Sequence, residues 1–135
     1  MIYCLDTDVC IDFLRLIHEH LRDEILSHCP GQIRIPSIVK AELLVGAKKS
    51  KSAERNLRVV EDFLASFEII PFGDIAAEFY ADIRVQLESE GRPIGHNDLV
   101  VAATAVSVSS VLVTRNVREF GRIPLLRVEN WIDRA

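Results

Sequence analysis

Three carboxylates stand out because each borders an apolar stretch instead of lying on a charged face. Asp6 follows the run Ile2 to Leu5, Glu42 sits among Ala41, Leu43, Leu44 and Val45, and Asp98 precedes the small apolar stretch Leu99 to Ala105. An ionised Glu42 among such neighbours needs a partner. Carboxylates gathered in one pocket are the equipment of a metal-dependent nuclease, where bound cations cancel the negative field before a phosphate arrives. Taken singly, each also has a structural reading. Asp6 could accept from the N–H groups of a following helix, Asp98 could cap its own helix, and Glu42 could be a solvated helix position.

Whether they meet depends on the elements that carry them. Ile2–Leu5 and Gln32–Ile35 read as buried strands, and Glu68–Pro71, Val111–Val113 and Leu125–Val128 as three more. Between them, Val9 to Leu26 has helical apolar spacing at Phe13, Leu16 and Ile17. Pro36-Ser37 opens a helix with Ser37 as its cap. Leu57, Val60, Leu64 and Phe67 mark one further helical face and Phe79, Ile83 and Leu87 another, the latter ending before Gly91-Arg92-Pro93. A short helix is expected within Arg115 to Phe120. Strands alternating with helices predict a mostly parallel sheet with both faces covered, whose ligands bind beyond the carboxyl ends of the strands. Asp6 and Asn116 fall just past two such ends, Asp98 begins the helix feeding the fourth strand, and Glu42 lies one turn into the helix after the second.

The 135 residues fit one domain, 1–135, and 49% apolar with 27% charged residues predicts a compact fold. A net charge of −4 argues against a generic basic nucleic-acid coat but leaves room for an acidic catalytic pocket. Cys4, Cys10 and Cys29 lack zinc-site spacing and read as buried, reduced thiols. The start meets a charge too early for a signal peptide. The longest uncharged run, Leu99 to Thr114, is short and carries Ser and Thr, so a cytoplasmic protein without a membrane span is expected.

Four ordered motifs carry a family resemblance: L-D-T-D from Leu5, A-E-L-L-V-G-A from Ala41, G-R-P-I-G-H-N-D-L-V-V-A-A-T-A from Gly91, and V-T-R-N-V-R-E-F from Val113. Together they resemble PIN-domain ribonucleases of the VapC type, the toxin half of a bacterial toxin–antitoxin pair, over effectively the whole chain. The resemblance implies a Rossmann-like three-layer α/β fold with a five-stranded parallel sheet, and hydrolysis of RNA, commonly structured RNA such as transfer RNA, with Mg²⁺ or Mn²⁺. Carried over by motif, Asp6, Glu42 and Asp98 form the acidic triad. Many members have an Asp where this chain has Asn116, and Asn where it has Asp8. Asp8 could supplement the site or cap the first helix, the cap being favoured. The resemblance further implies a VapB-type antitoxin, a homodimer, and a toxin–antitoxin assembly that binds operator DNA through the antitoxin.

Three carboxylates without a nearby His or Cys make a hard oxygen site, suited to Mg²⁺ or Mn²⁺ and poor for zinc. Thr7, Thr114 and Asn116 could orient a water or a phosphate oxygen. Arg115 and Arg118, with Arg122, could contact RNA phosphates, as could Lys48, Lys49, Lys51, Arg55 and Arg58, which read more simply as a solvated face. His96, in a turn, reads as a surface residue. Two other functions compete. D-T-D-V also fits the start of haloacid-dehalogenase-like phosphatases, but no lysine follows Lys51 to complete that site. An acidic pocket could also dock a basic peptide without catalysis.

Overall fold

A computed structural model of the chain describes residues 1–133. Five short strands, β1 (Tyr3–Leu5), β2 (Ile33–Pro36), β3 (Glu68–Ile70), β4 (Val111–Val113) and β5 (Arg127–Glu129), form one sheet. Its order is β3-β2-β1-β4-β5 and every pairing is parallel, as the helical connections require. The chain walks outward from β1 to β3, then returns to β4 on the other side of β1. The reversal between β1 and β4 opens the crevice in which α/β proteins place their ligands.

The connections are α1 (Thr7–Arg15) and α2 (Glu19–Ser27) before β2, and α3 (Ser37–Lys49) and α4 (Ala53–Leu64) before β3. Then come α5 (Asp74–Ser89) and α6 (His96–Ser107) before β4, and α7 (Val117–Phe120) before β5. Right-handed crossovers carry the outward connections over one face of the sheet and the returning ones over the other. Accordingly α1 packs with α3 and α4, and α5 pairs with α6. Covering both faces explains why Val111, Leu112 and Val113 are all fully buried: a doubly covered strand reads as an apolar run without alternation. In α6, Leu99 and Val101 to Ala105 are buried together, and Thr104 is accommodated by donating its hydroxyl to the Val100 carbonyl at 2.7 Å. Phe120 and Trp131 are core residues.

Several local expectations are corrected. The region from Val9 to Leu26 is two helices, broken where Leu16 takes a left-handed conformation (φ 55°) and its N–H closes α1 on the Asp12 and Phe13 carbonyls. A non-glycine residue seldom adopts this conformation, so apolar spacing could not reveal it. Pro36, not Ser37, is the N-cap of α3, and Ser37 is already helical. Helix α4 ends at Leu64, and Phe67 lies beyond it with its ring 5.2 Å from that of Phe63. The last strand sits at Arg127–Glu129, two residues later than expected at its start. Cys4 and Cys10 are buried free thiols, with burial pushing Cys4 up to about 11, whereas Cys29 is exposed. No helix among the described residues is long and apolar enough to cross a membrane.

Candidate active site

The crevice is built from the ends of β1 and β4, the first turns of α1 and α6, and the second turn of α3. The last residue of β1 delivers Asp6 to the sheet edge, where its N–H bonds to the Val113 carbonyl at 2.9 Å. Asp6 is the N-cap of α1, with Oδ1 accepting from the Thr7 N–H at 2.8 Å. Its Oδ2 accepts from the hydroxyl of fully buried Thr114 at 2.8 Å. Glu42 approaches from α3: Thr7 donates its hydroxyl to Glu42 Oε2 at 2.8 Å, tying the second motif to the first across 35 residues.

Asp98 is not the N-cap of its helix. Gly95 holds that position without a side-chain bond, and Asp98 lies in the first turn, where its carboxylate makes no hydrogen bond to the described residues. The capping alternative therefore fails for Asp98 and holds for Asp6. Asp8 does not cap α1 either. Its Oδ2 accepts from the Arg115 N–H at 3.1 Å, while its Oδ1 is buried and has no hydrogen bond of ordinary geometry among the described residues, although the Val9 N–H stands near enough to the carboxylate to favour its charged form. His96 is the exposed first residue of α6 and not part of a turn.

These groups burden one another electrostatically. Burial, then the neighbouring Asp8 charge, pushes the Asp6 carboxyl up to about 7, despite the Thr114 and Thr7 hydrogen bonds and with a further push from Asp98. Burial raises Asp98 as well, and so do the charges of Glu119, Glu42 and Asp8. Asp8 is raised chiefly by burial, partly offset by the Arg115 N–H. No lysine or arginine among the described residues pairs with Asp6, Glu42 or Asp98; Asp6 and Glu42 are held by hydroxyls and a backbone N–H instead.

Among the described residues, no three of the carboxylates close on one another as a ready coordination shell. Like charges left to themselves disfavour such closure. The donor set nonetheless fits a hard divalent cation: all oxygen, excess negative charge, raised carboxyl pKa values, and one buried carboxylate oxygen without a hydrogen bond of ordinary geometry. A cleft of about 300 Å³ adjoins Glu42, lined by apolar residues of α1, α3 and α4 such as Ile11, Leu14, Leu43 and Val60.

Glu119 was missed by sequence reasoning. It sits in α7, accepts from Asn116 Nδ2 at 2.7 Å, and lies near enough to Asp98 to raise it. The N-x-x-E spacing of residues 116–119 was the available signal, since it brings cap and third helical residue together. Asn116 thus engages Glu119 and does not reach the triad by a hydrogen bond. Arg115 turns its guanidinium to Asp12 at 2.9 Å, whereas Arg118 is exposed.

The PIN-domain family model matches residues 3–125. The chain belongs to the PIN-domain family, in its VapC branch. Over 132 residues it is 40% identical to the Ribonuclease VapC2 of Rickettsia felis, covering 97% of this chain and 98% of that protein. It is likewise 40% identical over 129 residues to the tRNA(fMet)-specific endonuclease VapC of Salmonella typhimurium, covering 96% and 97%. Among solved structures, VapBC2 from Rickettsia felis bound to a DNA fragment from their promoter superposes with a TM-score of 0.91. That match has 39% identity over 97% of this chain and 99% of the other. Membership of the PIN family removes the phosphatase alternative, and the five-stranded parallel sheet is the architecture the family resemblance implied.

Proposed function

We propose that this PIN domain is the toxin of a type II toxin–antitoxin pair, an endoribonuclease that cuts structured RNA, with transfer RNA as the favoured class, and so arrests translation and growth. The observation that supports this reading is that Asp98 lies close enough to Asp6 and to Glu42 to feel and exert their charge, while no lysine or arginine among the described residues pairs with any of the three. Mg²⁺ or Mn²⁺, held by Asp6, Glu42 and Asp98, would supply a water of lowered pKa and neutralise charge on the scissile phosphate.

The chain's own groups set up that site. Thr114 and the Thr7 N–H hold both oxygens of Asp6, and the Thr7 hydroxyl holds Glu42, so two carboxylates are fixed before substrate arrives. Asp8, whose Oδ1 has no hydrogen bond of ordinary geometry among the described residues, serves as a supporting acid. Arg118, exposed on α7, is placed to contact an RNA phosphate at the rim. With water as nucleophile, the products carry 5′-phosphate and 3′-hydroxyl ends.

The tRNA(fMet) specificity of the Salmonella relative supports transfer RNA as substrate class, and the promoter-bound Rickettsia complex supports a VapB-type antitoxin partner that brings the toxin, as a homodimer on our reading, to operator DNA. The apolar cleft beside Glu42 gives a segment of that antitoxin a place to bind next to the acids. A cytoplasmic location follows from the substrate. The test is cleavage of purified transfer RNA by the chain with Mg²⁺, with chelator, and with Asp98→Asn, followed by sequencing of the RNA ends. Chelator-insensitive cutting, or none by the wild type with either cation, would overturn the reading; the latter with retained peptide binding would leave an acidic docking module.

A further inference from the structure

We infer that Arg115 is a positioning residue for the acidic site, braced on Asp12, and not an RNA-binding side chain; this rests on the ribonuclease reading above. The loop from Thr114 to Asn116 is the only segment between β4 and α7, and it delivers the Thr114 hydroxyl to Asp6 and the Arg115 N–H to Asp8. The loop is tied at its start by the Thr114 N–H to the Glu129 carbonyl at 3.0 Å and at its end by the Val117 N–H to the Arg115 carbonyl at 2.9 Å, but neither bond holds the Arg115 N–H against Asp8.

The bracing comes from α1. Asp8 and Asp12 are one turn apart and share a helix face. Asp8 takes the backbone N–H of Arg115, and Asp12 Oδ2 takes its guanidinium Nη2 at 2.9 Å. The loop is thus gripped at main chain and side chain by the same face of the helix that Asp6 caps. A longer contact of 3.9 Å runs from Arg115 Nε to Asp133, and His18 Nε2 stands 3.6 Å from the same Asp12 oxygen. The Asp12 side chain is only 11% exposed, so a charge there requires its partner; the guanidinium, 47% exposed, is spent on that pairing. A further hydrogen bond, from the Asn116 N–H to Thr114 Oγ1 at 3.1 Å, keeps the hydroxyl aimed. Asp12→Asn leaves no buried charge unpaired, so it keeps the fold while freeing the donors that orient Asp6 and Asp8, whereas Arg115→Met strands the Asp12 carboxylate and also destabilises the chain.

The experiment uses the full chain with Asp12→Asn, Arg115→Met and the double variant. Bracing predicts that each single variant lowers kcat by roughly 10- to 100-fold, the usual cost of losing a group that orients a ligand, with KM and the salt dependence of cleavage unchanged. The double variant falls no further than the singles. Arg115→Met raising KM and flattening the salt dependence while Asp12→Asn behaves as wild type would make Arg115 a phosphate contact and overturn the inference. Amide hydrogen exchange gives a readout independent of activity: the Arg115 and Asn116 N–H groups exchange faster in Asp12→Asn at unchanged melting temperature. If the wild type cuts no RNA, the ribonuclease reading fails and exchange alone decides; unchanged exchange at both amides overturns the bracing.

Discussion

Thr114 donates its hydroxyl hydrogen to Asp6 Oδ2 at 2.8 Å, joining the end of β4 to the end of β1 across the point where strand order reverses. Thr114 Oγ1 in turn accepts from the Asn116 N–H, so one buried hydroxyl serves both the carboxylate and the loop that follows it.

Thr114→Val keeps the shape of this side chain and removes the hydroxyl. It leaves a buried carboxylate oxygen and a backbone N–H short of a partner, which destabilises the fold by about 1–3 kcal/mol. Because the lost bond favoured the charged form of Asp6, that carboxyl becomes harder to ionise and the acidic limb of the pH–rate profile moves to higher pH. Denaturant titration and a pH series check both parts. An unmoved limb would separate the Thr114 hydroxyl from the titration of the site.

The raised carboxyl of Asp6 also makes cation binding and stability depend on pH in opposite senses. Its pKa rises from 3.8 to about 7 on folding, mainly through burial. Between those values the folded chain without cation keeps a proton that the unfolded chain has released. Its contribution to stability is therefore full below the unfolded value and lost as pH rises through about 7. Metal-free protein should melt higher at about pH 5 than at about pH 8, with Asp6→Asn flattening the difference. Binding needs the carboxylate, so Mn²⁺ affinity rises over the same interval and protons are released on titration. Calorimetry in buffers of different ionisation enthalpy detects that release; its absence near pH 6 would contradict the raised carboxyl.

Asp98→Asn tests a carboxylate that makes no hydrogen bond among the described residues. Cleavage should fall by at least about 100-fold, the lower range for removing one charged or polar group from a reacting centre. The metal-free fold should be unchanged or slightly more stable, because burial and the charges of Glu119, Glu42 and Asp8 all oppose ionisation there. Melting curves with and without chelator, beside a cleavage assay, measure this. Wild-type activity in the variant would remove Asp98 from the triad.

How far the sequence showed this arrangement depended on the range of the interactions. Asp6 was legible because a buried strand must end where its apolar run ends; Glu42 does bond Thr7, but it is half-buried with Ala41 and Val45 exposed beside it, so the apolar neighbours that singled it out do not bury its charge. The small residues of α6 announced a buried helix and so fixed the neighbourhood of Asp98. What stayed hidden turned on single torsions or on contacts made only after folding. The left-handed Leu16 splits a periodic stretch without changing its period, and Gly95 takes the cap in place of Asp98. Asp12 meets Arg115 across 103 residues, a pairing that neither residue's local setting declares.

Glu119 is the acid that structure adds to the set. It lies on the four-residue α7, held through Oε2 by Asn116 Nδ2 at 2.7 Å, and its charge is the largest of those that raise Asp98. Glu119→Gln keeps the side-chain size and an acceptor for Asn116 while removing that charge. Asp98 then ionises more readily, so the acidic limb of the pH–rate profile moves to lower pH. Plateau kcat should fall less than in Asp98→Asn if Glu119 acts only through the field. An equal fall, accompanied by weaker Mn²⁺ binding in calorimetry, would instead make Glu119 a direct oxygen donor to the cation. An unaltered pH profile would show that the α7 acid and Asp98 do not communicate. Because Asn116 can bond either carboxylate or amide at position 119, melting temperature should stay within the small range expected of a surface substitution, about 0.5 kcal/mol in stability.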